Sequence, residues 1–194
     1  MILPILAYGS TVLKRKAQTV NFDDQGLYEI INNLWETMYA ASGVGLAAPQ
    51  VGLSLRLFIV DGTPFCEDDK IDQKNKDQLK DFKKVFINPV IKESGEEWCF
   101  NEGCLSIPDI REDIYRKQNI IIEYFNEKFQ LKKENFSGIA ARIIQHEFDH
   151  IEGFLFTDKL PSLKRKMLNG KLADISKGNI EVDYLMRFPS LKNK

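Results

Sequence analysis

The only two histidines of this 194-residue chain lie four apart, in His146-Glu147-Phe148-Asp149-His150. Residues four apart share one face of a helix, so both imidazoles can reach a single cation. Glu147, one step round, can reach the proton of a water held there. Two histidines placed at random fall four apart in roughly one chain in a hundred, and the glutamate between them makes an accident rarer still. The bland alternative is a pair of core histidines satisfied by hydrogen bonds. The pattern requires a helix around it. One is expected from about Asn135 to Glu152, with Gly153 as its glycine terminator and Ile139, Ile143, His146 and His150 on one face.

A catalytic metal site also needs a third protein ligand and an open position for water. Cys66, Cys99 and Cys104 are candidates, as is any carboxylate. Cys104 lies in Asn101-Glu102-Gly103-Cys104-Leu105-Ser106-Ile107-Pro108, where Gly103 permits a close backbone approach. Cys99, between Trp98 and Phe100, reads as a small buried hydrophobe, and Cys66 sits at the edge of a charged stretch. Spacing prefers Cys104 without excluding the others. Three sparse cysteines do not make a disulfide framework, and a reducing cytoplasm is the simplest setting.

Around this centre the chain reads as α+β. Leu27, Ile30, Ile31, Leu34, Trp35 and Met38 form the apolar face of an N-terminal helix over residues 25–41, ended by Gly43-Val44-Gly45. Strands are expected at 55–60, 84–91, 96–100 and 119–125, with a further one at 129–132. Clustered strands without alternating helices imply antiparallel sheets, here packed around the central His146–His150 helix. Residues 66–84, dominated by Asp, Glu, Lys, Gln and Asn, read as a solvated surface insertion. A C-terminal helix should start near Ser162, after Pro161, and begin with the basic run Leu163-Lys164-Arg165-Lys166-Met167. The tail from 180 to 194 is polar with a few apolar anchors.

One domain over 1–194 accommodates all of this. A net charge of -1 argues against a partner bound through a broad field, such as DNA or an anionic membrane. No apolar run is long enough to span a bilayer, and the opening residues lack the features of a signal or transit peptide.

Three segments taken together resemble the signature motifs of peptide deformylases, in the family's order. They are Gly43-Val44-Gly45-Leu46-Ala47-Ala48-Pro49-Gln50, Glu102-Gly103-Cys104-Leu105-Ser106 and Gln145-His146-Glu147-Phe148-Asp149-His150. The opening Ile2-Leu3-Pro4-Ile5 and the setting of Arg142 are also similar, so the likeness runs to about residue 160. It implies a metal held by Cys104, His146 and His150, with Glu147 as general acid/base. It sets Gln50 beside the reacting carbonyl and the Leu105 N–H as a second donor to the oxyanion. One divalent ion is implied, Fe(II) expected, with Zn(II), Ni(II) or Co(II) as substitutes, since spacing does not identify the metal.

The implied reaction removes the N-formyl group from the initiator methionine of new polypeptides and releases formate. Water activated at the metal attacks the formyl carbon. The partners are N-formylmethionyl nascent peptides, with a transient ribosome contact through the basic run after Pro161. Gly43 and Gly45 would let an extended peptide approach, and Gly103 is expected to meet substrate as well. Val44, Phe100, Leu105, Ile139 and Ile143 would line a pocket for methionine. Two rivals predict something else. A zinc metallopeptidase sharing the histidine motif would cleave internal peptide bonds, and a catalytically silent metal-binding module would leave Glu147 unused.

Overall fold

The computed structural model describes residues 1–22 and 26–189. In chain order its elements are β1 (Ile5–Leu6), α1 (Leu27–Ala40), β2 (Gly45–Ala47), β3 (Leu57–Asp61), α2 (Gln73–Leu79), β4 (Lys83–Cys104), β5 (Ile107–Phe125), β6 (Leu131–Ser137), α3 (Gly138–Glu152), α4 (Ser162–Lys177) and β7 (Met186–Arg187), with four short 3-10 turns between them. Strands β2 to β6 pair in sequence order as one five-stranded antiparallel sheet. The expected α+β class holds. One strand pair departs from the expected antiparallel pattern, because β1 and β7 form a separate parallel pair.

The run Leu57-Phe58-Ile59-Val60 shows why the sheet is a central layer. Successive side chains point to opposite faces, and here both faces are covered. Leu57 and Ile59 pack with Leu27, Ile31, Leu34 and Met38 of α1. Phe58 and Val60 pack with Ile139, Ala140, Ile143 and Ile144 of α3. A third apolar cluster joins Ile107, Ile110 and Ile114 of β5 to Leu172 and Ile175 of α4 and to Leu6 next to them. Helix α3 therefore lies against the sheet along its length, and Gly153 ends it in the left-handed conformation (φ 83°), as a glycine terminator should.

The structure corrects several expectations. Residues 84–91 and 96–100 belong to one strand, β4, whose register against β5 shifts between Ser94 and Glu97. Strand β5 begins at Ile107, well before 119. Strand β6 runs from 131 through Ser137, so α3 starts at Gly138 rather than Asn135. Cys99 is exposed rather than buried, because the strand alternation turns Trp98 and Phe100 inward and Cys99 out.

The 66–84 stretch is no mere solvated insertion. Leu79 and Phe82 are buried in the α3 core, and Asn75 Oδ1 accepts the Ile139 N–H at 3.0 Å, satisfying one of the orphan donors at the start of α3. Helix α1 matches its expected face. Its expected start at residue 25 lies outside the described residues, as do residues 190–194 of the tail.

Candidate active site

The β4–β5 hairpin carries Cys104 to its tip, where the register shifts between Gly103 and Cys104 and a two-residue turn, Leu105–Ser106, leads into Ile107. That shift re-aims the last side chain of the strand towards α3. There the Cys104 Sγ lies 3.3 Å from His150 Nε2, and the donor atoms of Cys104, His146 and His150 all fall within 4.8 Å of one another. Two histidines a helical turn apart and a cysteine 42 residues before the first of them thus meet.

Gln50 approaches from the opposite side, on the turn Ala48–Val51 that follows β2. Its Oε1 accepts the Ala47 N–H at 2.8 Å, which fixes the amide plane. The NH2 then faces the Cys104 Sγ at 3.6 Å and the Ser106 Oγ at 3.3 Å. Gln50 is buried, so this orientation cannot be exchanged for a solvated one.

Glu147 is also buried, and its Oε2 has no hydrogen-bond partner among the described residues. Burial disfavours its charged form and, against the opposing pull of His146 and Arg116, raises the carboxyl to about 7. A Cβ placed on Gly45 would sit 2.4 Å from the Glu147 Oε1, so the absence of a side chain there is what makes room for the carboxylate.

Glu102 was quoted in a motif but given no role by sequence reasoning, and it orients the centre. Its carboxylate accepts from Arg116 Nε (2.7 Å) and Nη2 (2.9 Å), from Arg142 Nη1 (2.8 Å) and from His146 Nδ1 (3.0 Å). Burial alone would raise its pKa, but the contacts to Arg116 and His146 outweigh it and hold the carboxyl well below the usual range. An ionised Glu102 holds His146 through Nδ1 and leaves the Nε2 edge for a metal, which would displace a proton there, an arrangement seen for metal-ligating histidines.

The two imidazoles are driven apart. Burial favours the neutral form of both, but at His146 the hydrogen bonds to Cys104 and Glu102 overcome it and raise the pKa well above the ordinary value. At His150, burial and then the neighbouring His146 and Arg116 push it well below.

A cleft of about 640 Å³ opens onto these groups. Of the residues expected to meet substrate, Gly43, Val44, Gly45, Phe100, Gly103 and Ile143 line it, as does Leu105. Ile139 does not: it is buried in the core between α3 and the sheet, one turn too far along the helix. Sequence reasoning missed Ser106, Arg116 and Tyr184. Arg116 sits in a strand among other charged residues and gave no signal, and Tyr184 comes from the tail, which carried no recognisable pattern.

Hydrolysis assisted by one metal ion asks for three protein donors, an open side and a base close to it, all buried enough for the charges to act strongly. The cleft offers these parts, and the class they define is a mononuclear metal-dependent hydrolase. Comparison with known proteins narrows it. The family model for polypeptide deformylases matches residues 2–166. A peptide deformylase of Christiangramia forsetii is 58% identical over 193 residues, covering 99% of this chain and 98% of its own. One from Flavobacterium johnsoniae is 53% identical over the same shares. Among solved structures, the peptide deformylase of Ehrlichia chaffeensis superposes with a TM-score of 0.80 at 31% identity, covering 92% of this chain and 99% of that one. The chain belongs to the peptide deformylase family.

Proposed function

We propose that this chain removes the N-formyl group from the initiator methionine of newly made polypeptides and releases formate. The observation that carries the reading is the convergence of the Cys104, His146 and His150 donor atoms beside the unpaired carboxylate of Glu147. The donor set suits a divalent ion. A thiolate and two imidazoles, with donor atoms within 4.8 Å of one another, are the ligand types such an ion takes, and Cys104, His146 and His150 would hold it. Fe(II) is the expected ion on family grounds, with Zn(II), Ni(II) or Co(II) as substitutes. When bound, the ion supplies Lewis acidity, polarising the formyl oxygen and making water a stronger acid.

The chain's own groups do the rest. Glu147 takes a proton from the attacking water, whose oxygen bonds to the formyl carbon. The Gln50 NH2 and the Leu105 N–H donate to the oxygen that becomes negative. The carbon–nitrogen bond then breaks, Glu147 returns the proton to the departing amine, and formate and a free N-terminal methionine result. A carboxyl near 7 suits both halves of that transfer at neutral pH.

Strand β2 is an edge of the sheet with β3 on one side, where the Val44 carbonyl accepts the Asp61 N–H at 2.9 Å, so its other side can pair with an extended peptide at Gly45, while Val44, Phe100 and Ile143 form apolar wall for the methionine side chain. We read the chain as a single catalytic domain acting in the cytoplasm on formylated nascent chains. Among the described residues no helix is long and apolar enough to cross a membrane, and all three cysteines are free. A transient ribosome contact would use the basic start of α4, although Lys164 and Arg165 there already face Glu112 and Asp158.

The test is formate release from a formyl-methionyl peptide by protein purified without oxygen and loaded with Fe(II) or Ni(II). The acetylated peptide and a Glu147→Ala variant run beside it. Release from the formyl peptide alone, lost in the variant, is expected. Folded, metal-loaded protein that releases no formate would overturn the reading.

A further inference from the structure

The segment after Gly178 lies beyond the residues matched by the family model, yet Glu181 to Tyr184 form one wall of the cleft. Its path is fixed at both ends. Gly178 stops α4 in the left-handed conformation. Further on, the Leu185 and Arg187 carbonyls accept the Ile5 and Ala7 N–H groups at 2.9 and 3.0 Å as β7 pairs with β1. The residues between alternate. Val182, Tyr184, Met186 and Phe188 are half-buried, whereas Glu181, Asp183, Leu185 and Arg187 are exposed. Pairing with β1 therefore sets the parity, and a slip of one residue would turn Tyr184 out to solvent.

With that parity the Tyr184 hydroxyl donates to the main-chain oxygen of Leu105 at 2.8 Å. The next carbonyl, that of Ser106, accepts the Tyr8 N–H at 2.8 Å. The two-residue tip of the β4–β5 hairpin is thus held from two directions, by the segment after β1 and by the tail. We propose that Tyr184 is a positioning residue for deformylation, holding the Leu105 carbonyl so that the Leu105 N–H points at the oxygen of the reacting formyl group. The inference rests on the role given above to that N–H.

The physical argument is short. The peptide planes on either side of Leu105 are joined only through its φ and ψ. Cys104, paired with Ile107, anchors the first plane, and the Tyr184 hydroxyl anchors the second. The Leu105 N–H lies in the first plane, held by Cys104 at one end only; released from the hydroxyl, the second plane can rock and tilt the first through the Leu105 Cα that they share. Hydrogen bonds weaken steeply as their angle falls towards 120°, and a donor of this kind acts through the transition state. Loss of the Tyr184 hydroxyl should therefore lower kcat and spare substrate affinity.

Tyr184→Phe removes the hydroxyl and keeps the ring. Complete loss of an oxyanion donor costs about 100- to 1,000-fold, and misdirection of one should cost about tenfold in kcat. KM, metal content and the affinity for the deformylated product peptide should be unchanged, and the melting temperature should fall by no more than the few degrees, roughly 2–4 °C, that one lost hydrogen bond costs. An ester in place of the Cys104–Leu105 amide, made with the hydroxy-acid analogue of leucine, deletes the N–H outright and should slow turnover about 100-fold. In that background Tyr184→Phe should add nothing, since both changes act on one donor.

An ester variant that is slow beside a fully active Tyr184→Phe would overturn the role of Tyr184 and leave that of Leu105 standing. An ester variant as fast as the amide would instead overturn the Leu105 assignment and the inference with it. A Tyr184→Phe effect that appears in KM, or that persists in the ester background, would also overturn the inference, because the hydroxyl would then act on the substrate or elsewhere.

Discussion

Replacing Gly45 with alanine tests the packing of Glu147, the general base in the proposed reaction. Gly45 is a strand residue paired with Val60, and its backbone lies outside the left-handed region, so alanine suits the local conformation. The difficulty is contact. The new methyl would lie 2.4 Å from Glu147 Oε1, 2.8 Å from its Cδ and 2.9 Å from its Cγ, whereas ordinary contact begins at 3.4 Å. The carboxylate must therefore retreat by about 1 Å. Because Cγ is also crowded and the side chain is buried, a swing of the carboxylate tip does not relieve it. A displacement of about 1 Å in a reacting group can cost on the order of 100-fold in turnover. Forcing a methyl into a packed site typically costs about 1–3 kcal/mol of stability. The expected result is a folded, metal-containing Gly45→Ala protein with kcat for formate release lowered about 100-fold and a modestly reduced melting temperature. Turnover within about threefold of the parent would refute the argument that Gly45 is there to admit Glu147.

Gln50→Leu should lower kcat by about 100- to 1,000-fold while metal content, read by elemental analysis, stays near one per chain. It should also cost about 1–3 kcal/mol, because the buried Ala47 N–H loses its acceptor. Asn75→Ala should lower stability by about 1 kcal/mol, or roughly 2–4 °C in melting temperature, with kcat unchanged, because it removes the acceptor for the Ile139 N–H at the start of α3. At Asp61, burial opposes ionisation, but bonds from the Thr63 and Tyr39 hydroxyls outweigh it and lower the pKa below the ordinary 3.8. Its stabilising contribution is full above about pH 4 and fades as the pH falls through the folded value. The urea midpoint of Asp61→Asn should therefore trail the parent at pH 7 and approach it as the pH falls below the ordinary 3.8 and through the folded value; a constant gap would contradict the assignment.

What could be read from the sequence was what depends on local periodicity or on a short motif. The spacing of His146 and His150 needs only a helix, and the face that carries them also carries Ile143, so motif and core pattern agree. The apolar run Leu57–Val60 was legible as a strand for the same reason. Residues 107–118 were not. Asp109, Arg111, Glu112, Asp113 and Arg116 give that half of β5 the composition of a surface loop, yet Arg116 is buried against Glu102 and Asp149. A charge that is buried because its partner lies in another strand leaves no trace in its own neighbourhood. The gap between the strands expected at 84–91 and 96–100 proved to mark a shift in register within one strand. The start of α3 depended on Asn75, more than sixty residues earlier, and the place of Tyr184 on a pairing between opposite ends of the chain.

That last pairing bears on how the molecule is made. Strand β1 can find no partner in its parallel pair until β7 exists, and roughly 180 residues of synthesis separate the two. At typical translation rates of about 5–20 residues per second β1 waits on the order of 10–40 s, and for roughly the last 2–7 s of these the sheet, Cys104 and the histidine helix have all been made while one wall of the cleft is still missing. An enzyme whose family acts on newly made chains would thus, while still being made itself, have Cys104 and its two histidines in place before its cleft was walled in.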